Sequence, residues 1–178
     1  MNKFILIFSF CAVLFAERAV AAQQKTNAGK ADSLVAVLPR LSGNERLSAL
    51  ETLTSLTAGL PAEKQFTYQY LNEARQQKNV AAESFALLKL TLLYYSHFDS
   101  DSIFIIGEEA VRFARQHERY DDMFFVQSEI IRRYKAEGRF LTALRKAEEA
   151  YAEAKTFHEN RFIARTLSTI GQILYNME

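Results

Sequence analysis

Residues 130–150 read Ile130-Ile131-Arg132-Arg133-Tyr134-Lys135-Ala136-Glu137-Gly138-Arg139-Phe140-Leu141-Thr142-Ala143-Leu144-Arg145-Lys146-Ala147-Glu148-Glu149-Ala150. Ile130, Ile131 and Tyr134 recur at helical spacing before Gly138. Phe140, Ala143, Ala147 and Ala150 recur at three- and four-residue steps after it. Gly138 supplies a left-handed helix stop between the two runs. A connection this short forces the two helices antiparallel and into contact.

The same arithmetic extends in both directions. Helical spacing predicts helices over 61–77, 80–97, 101–117, 121–137, 140–157 and 159–177, with Asp99, Ser100 and Asp101 as N-caps for the third. Upstream, Asp32 can cap a short helix over Ser33 to Leu38 that Pro39 helps to end. Ser42-Gly43-Asn44-Glu45 reads as a capping box opening a helix that carries Leu47, Leu50, Leu53 and Leu56. Gly59 stops that helix, and Pro61 suits the first turn of the next. At an offset of forty residues the helices align column by column. Ala74, Ala114 and Ala154 coincide, as do Leu71, Val111 and Tyr151; Leu90, Ile130 and Ile170; and Tyr94, Tyr134 and Leu174. A register held jointly across several columns is the signature of a repeat.

Composition agrees. The 178 residues include 22 Lys+Arg and 21 Asp+Glu, so the usual electrostatic footprint of a nucleic-acid binder is missing. Two prolines and six glycines are too few for an all-β chain rich in tight turns. One cysteine excludes an internal disulfide framework. The sequence carries no glycine-rich phosphate loop, no Gly-x-Ser-x-Gly and no His-Glu-x-x-His, so no catalytic residue, cofactor or metal ligand is assigned. His97 beside Phe98-Asp99-Ser100-Asp101 reads as a helix end and capping turn rather than a calcium loop. His117 and His158 sit at helix ends, where a cation suits the dipole. Glu108-Glu109, Asp121-Asp122 and Glu148-Glu149 are adjacent pairs and read as solvated. The basic cluster from Arg112 to Lys146 is interleaved with Glu118, Asp121, Glu129 and Glu137, a mixed-charge face.

The unit built on residues 130–150 resembles the tetratricopeptide repeat. In that family helix A carries apolar-small-x-x-Tyr, the turn carries Gly, and helix B opens with an aromatic followed by small residues. Thr169-Ile170-Gly171-Gln172-Ile173-Leu174-Tyr175 resembles the helix A of a further unit, with Gly171 at the close-contact position. The period departs from the usual 34 residues by being forty, so each helix is longer. Gln127 stands where Leu87 and Leu167 put a large apolar residue. The pairs Thr91 with Ile103 and Ile131 with Ala143 run small-large and large-small, which keeps the summed volume. HEAT and armadillo repeats share the period and are the structural alternative. The resemblance implies an all-α chain, a right-handed α-solenoid of antiparallel helix pairs, with a concave face lined by the first helices. It assigns to that face Phe85, Leu88, Leu92, Tyr95 and Ser96; then Phe125, Ser128, Arg132 and Lys135; then Arg165, Ser168, Gln172 and Tyr175. Phe85, Leu88 and Leu92 have a second reading, as core covered by the helices around Leu47 to Leu56. The groove residues to expect are therefore Tyr95, Phe125, Ser128, Arg132, Lys135, Arg165, Gln172 and Tyr175, suiting an extended peptide with an apolar anchor and an acidic or carboxylate end.

The N-terminus has the form of a secretory signal peptide: Lys3, an apolar run from Phe4 to Ala16, and small residues allowing cleavage near Ala21 or Ala22. Phe10 before Cys11 argues against lipoprotein processing, so cleavage discards the cysteine; loss of Lys3, Glu17 and Arg18 leaves a formally neutral mature chain. The expected organisation is signal peptide 1–22, linker 23–31, N-terminal helical cap 32–60, and repeat region 61–178 with its last repeat incomplete. Signal, opening helices and repeats together resemble the extracytoplasmic sensory region of membrane-bound bacterial regulators, whose transmembrane and histidine kinase or helix-turn-helix output parts lie outside these residues. The last helix carries Phe162, Ile163, Leu167, Ile170, Ile173 and Leu174, an apolar set too wide for one neighbour. A continuation of the array or a homodimer through that helix would cover it. The expected function is a non-enzymatic periplasmic protein- or peptide-binding scaffold without nucleic-acid contacts, touching the membrane only through downstream residues. A small-molecule or glycan sensor using the same groove is the alternative.

Overall fold

The computed structural model describes residues 26–97 and 100–177. The signal peptide, Cys11, the cleavage positions, Phe98 and Asp99 lie outside the described residues. Among those described there are eight α-helices and no strand: α1 (26–37), α2 (Gly43–Leu56), α3 (Glu63–Gln76), α4 (Val80–Ser96), α5 (Ser100–Gln116), α6 (Tyr120–Ala136), α7 (Phe140–Thr156) and α8 (Asn160–Tyr175). A 3-10 turn over Leu38–Arg40 follows α1. The chain divides between Glu73 and Ala74 into two compact units.

In the first unit, the helix expected from Ser33 starts earlier. Residues 26–31, polar enough to read as linker, are already helical, so Asp32 lies inside α1 and not at its cap. Pro39 does mark the end, since the 3-10 turn takes over there. Ser42 is the N-cap of α2 but makes no side-chain cap hydrogen bond. Gly43 next to it has φ +53°, so the chain enters α2 through a left-handed residue and the capping box does not close. Leu47, Leu50 and Leu53 are buried as their spacing predicts, while Leu56 stays partly exposed. Arg46 ties the unit together, donating from Nε to Glu73 Oε2 (2.9 Å) and from Nη1 to the Leu38 carbonyl (2.7 Å).

The second unit is periodic in its backbone. Helices α4, α6 and α8 begin at residues 80, 120 and 160, and α5 and α7 at 100 and 140. One turn recurs between them. Lys78, Glu118 and His158, forty residues apart, have φ of 52°, 56° and 55°; Gly138, midway, has φ 71°. At each, two amides fold back onto the preceding helix. Asn79 donates to Ala74 O at 2.9 Å, Arg119 to Ala114 O at 2.8 Å, Arg139 to Tyr134 O at 2.9 Å and Glu159 to Ala154 O at 3.2 Å. The residue before each donates to the next carbonyl along, as in Gly138 to Lys135 O at 3.1 Å. This is the Schellman arrangement. The carbonyl of its last residue then accepts the first bond of the following helix, for example from Ala143 N to Arg139 O at 2.9 Å. A single residue therefore closes one helix and opens the next.

Each helix of this unit from α4 on packs on its successor, and α4 with α6 and α6 with α8 also touch. Small residues make the close approaches possible. Ala143, Ala147, Ala150 and Ala154 of α7 are all buried, the first three clustering with Ile131 and Ile173. Gly107 of α5 is closer still: a Cβ there would stand 2.9 Å from Ile130 Cδ1 and 3.7 Å from Thr91 Cγ2. Thr91, Ile103, Ile131 and Ala143 are all buried, so both volume-compensated pairs lie in the core. The equivalent of Thr91 and Ile131 in α8 is Gly171, which has nothing within 4 Å of its Cβ position. Leu167 and Leu174 beside it are each 47% exposed.

Candidate functional site

The positions expected to form a face lie on α4, α6 and α8, and two contacts join those helices in one register. The Arg132 guanidinium of α6 stacks on the Tyr95 ring of α4, 4.3 Å from its centroid. Lys135 Nζ of α6 donates to Gln172 Oε1 of α8 at 3.2 Å. Both pairs span 37 residues. Tyr95 and Lys135 are equivalent by the forty-residue period, and so are Arg132 and Gln172. The same inter-helix step is therefore made twice, once as a cation over an aromatic ring and once as a hydrogen bond.

The remaining expected residues fall as follows. Phe125 and Ser128 are half-buried on α6, and Ser128 Oγ donates to the Phe125 carbonyl at 2.6 Å. That bond turns the hydroxyl inward onto its own helix. Arg165 and Gln172 are exposed on α8, and Tyr175 near its end is 79% exposed. Phe85, Leu88 and Leu92 are half-buried on α4. The structure thus joins Tyr95 with Arg132 and Lys135 with Gln172, while Tyr175 takes no such contact.

Glu129 is the residue that sequence reasoning missed. It is only 4% exposed, and Arg132 Nη2 one turn on donates to its Oε2. Burial pushes its carboxyl up, and the charges of Arg132 and Arg165 pull the other way without cancelling that effect. The Arg165 guanidinium makes no hydrogen bond or ion pair among the described residues, while its carbonyl accepts from Thr169 Oγ1 at 3.0 Å. The face therefore carries three cations in different states: Arg132 held by a buried acid, Lys135 held by an amide, and Arg165 unengaged. The i, i+3 spacing of Glu129 and Arg132 was visible in sequence; the depth of Glu129 was not.

A second polar array joins α5, α6 and α7. Arg115 grips Glu153 with two bonds, from Nε at 2.6 Å and from Nη2 at 3.0 Å. Gln127 Nε2 donates to Glu153 Oε2 at 2.8 Å, which leaves Gln127 Oε1 buried with no partner. Burial pushes the Glu153 carboxyl up, but the bonds from Arg115 and Gln127, with the Arg115 charge, outweigh it and hold the group below its ordinary range. Lys146 Nζ lies 3.2 Å from Glu108 Oε1 and 3.4 Å from Glu149 Oε2. These groups surround a cavity of about 90 Å³ floored by Val111, Ile130 and Ile131. Of the pairs read as solvated, Glu108, Asp121, Glu148 and Glu149 are exposed, and Glu109 and Asp122 are half-buried. Glu108 faces Lys146 and Glu109 takes Arg75, while Asp122 accepts from Ser84 Oγ at 2.7 Å and Arg119 Nε at 2.6 Å.

The histidines keep to helix ends. His97 Nδ1 lies 2.7 Å from the Leu93 carbonyl oxygen, and the His117 ring packs on Phe113 with centroids 4.5 Å apart. His158 occupies a left-handed turn position. Among the described residues no group of three or more His, Cys, Asp or Glu is placed to hold a metal ion. No helix among them is long and apolar enough to cross a membrane. No protein-family model matches the chain, and a search of curated proteins finds no match.

Proposed function

We propose that the repeat unit is a protein- or peptide-binding scaffold of tetratricopeptide type, a right-handed α-solenoid that receives an extended segment across α4, α6 and α8. The observation that carries this reading is the repeated 37-residue contact, Arg132 on Tyr95 and Lys135 with Gln172, which lines three helices up as one surface. Arginine and tyrosine suit such a surface, because both offer large contact area with a polar tip and dominate binding energy at interfaces. The exposed side chains there hold and orient a ligand. Nothing in them supplies a nucleophile paired with a base, so the reading is non-enzymatic. In the larger setting, the chain is the exported, periplasmic, N-terminal sensory part of a signalling regulator. A small-molecule or glycan sensor using the same face is the second reading.

The test is a peptide-display selection against the chain from residue 23 onward, with the best peptide followed by fluorescence polarisation. An Arg132→Ala/Arg165→Ala double variant is expected to bind at least tenfold more weakly with an unchanged far-UV circular dichroism spectrum. Equal binding by the folded double variant would refute the assigned face. A selection that yields nothing above background, alongside hits on a glycan array, would favour the second reading.

A further inference from the structure

We infer that Glu129 is an internal stand-in for an anionic ligand group, holding Arg132 until a ligand carboxylate displaces it. This rests on the binding-face reading above. Glu129 is buried on α6, yet the guanidinium it receives belongs to the largely exposed Arg132, which also lies on the Tyr95 ring. The arrangement points a solvent-facing cation inward. A guanidinium fits a carboxylate with two parallel bonds, and the ring beneath keeps its plane fixed while the acid partner is exchanged.

Arg165 supplies the second half of the site. It stands on the neighbouring α8, close enough for its charge to act on Glu129, and it forms no ion pair among the described residues. A ligand carboxylate arriving at this face meets Arg165 first and then competes with Glu129 for Arg132. Displacing Glu129 leaves a buried carboxylate without its bond, which opposes binding. The resting contact therefore weakens the affinity of this face for anions and selects ligands able to engage both arginines. Neutral glutamine at 129 keeps the shape of the side chain and weakens that competition, since its amide oxygen still accepts but carries no charge.

The probe is a fluorescein-labelled hexaglutamate peptide, read by fluorescence polarisation at pH 7.4 and low salt. Glu129→Gln is expected to bind it at least fivefold more tightly than the unaltered protein, and adding Arg132→Ala to that variant is expected to abolish the gain. Glu129→Met, of similar volume, is the second variant should the glutamine form fold poorly. If both proteins bind equally while the Arg132→Ala/Arg165→Ala variant binds more weakly, the displacement by Glu129 is wrong and the binding face stands. If none of the folded variants binds hexaglutamate, the anionic ligand class fails, and the displacement with it.

Discussion

Lys135 of α6 donates from Nζ to Gln172 Oε1 of α8 at 3.2 Å, and the relation reproduces, one period later, that between Tyr95 and Arg132. The chemistry differs and the geometry does not. A repeat conserves where side chains meet, because the backbone register is set by the turns. What meets there is free to vary, since each pair lies on the outer surface of the helices. A face built on this principle changes character along its length without changing shape, from an aromatic-cation stack at α4 and α6 to an amide contact at α8.

The turns carry the register, so their glycine chemistry should be readable in stability. Gly138→Ala places a Cβ at φ 71° and is expected to cost roughly 1 kcal/mol. Glu118→Gly relieves a side chain at φ 56° and is expected to stabilise by a few tenths to about 1 kcal/mol, less than the full relief because glycine loses more chain entropy. Urea denaturation of the two variants checks the opposite signs.

Two helical glycines should behave oppositely. Gly171→Ala meets nothing within 4 Å and is expected to stabilise by about 0.8–1 kcal/mol through helix propensity. Gly107→Ala drives a methyl against Ile130, and overpacking there is expected to outweigh the same propensity gain by about 1 kcal/mol. Melting temperatures of the pair separate the two effects. Equal stabilisation by both would refute the close approach of α5 and α6.

Gln127 brings an unpartnered buried acceptor into the core side of α6. Gln127→Leu removes it and restores the large apolar residue that Leu87 and Leu167 supply in the other repeats; it also removes the Nε2 bond to Glu153, whose two oxygens keep their bonds from Arg115. The variant is expected to be about 1 kcal/mol more stable. Gln127→Ala should be destabilising instead, because it enlarges the adjoining cavity.

Glu129 and Glu153 should respond oppositely to pH. The Glu153 carboxyl is held low by Arg115 and Gln127, so its contribution is present above the ordinary carboxylate range and is lost as pH falls through its folded value. Glu153→Gln is therefore expected to cost about 1 kcal/mol at neutral pH, an amount suited to a partly exposed pair, and nothing in acid. The Glu129 carboxyl is held high by burial, so its ionisation destabilises the fold as pH rises through its folded value. Glu129→Gln should raise stability at neutral pH and lose that advantage in acid. Denaturation midpoints of each variant against the unaltered protein across pH 3–8 give both signs.

The helices of the second unit were legible because their apolar residues recur at 3.6-residue spacing over four to five turns; predicted 121–137 against observed Tyr120–Ala136 shows how closely. Gly138 was legible as a left-handed stop. Lys78, Glu118 and His158 were not, because nothing in a lysine, glutamate or histidine side chain signals positive φ. At Glu118 and His158 the flanking helices, α5 with α6 and α7 with α8, pack on each other and leave the chain room for only one short turn. The capping box at Ser42 misled for a related reason: the motif was present, and a left-handed Gly43 kept it from closing.

The candidate face divides in the same way. The forty-residue period makes Tyr95 equivalent to Lys135 and Arg132 to Gln172, and the structure joins both pairs. The state of each side chain did not follow. Whether Arg132 is free or held, whether Glu129 is wet or buried, and whether Gln127 finds a partner depend on neighbours on other helices, such as Glu153 for Gln127 and Tyr95 for Arg132, or one turn away but beneath the surface. The sequence by itself determined the helical class and the forty-residue register, because these arise from local periodicity. Only the tertiary structure decided burial and the pairing of charges, because desolvation and Coulomb attraction depend on which side chains meet in space, and the chain order does not give that.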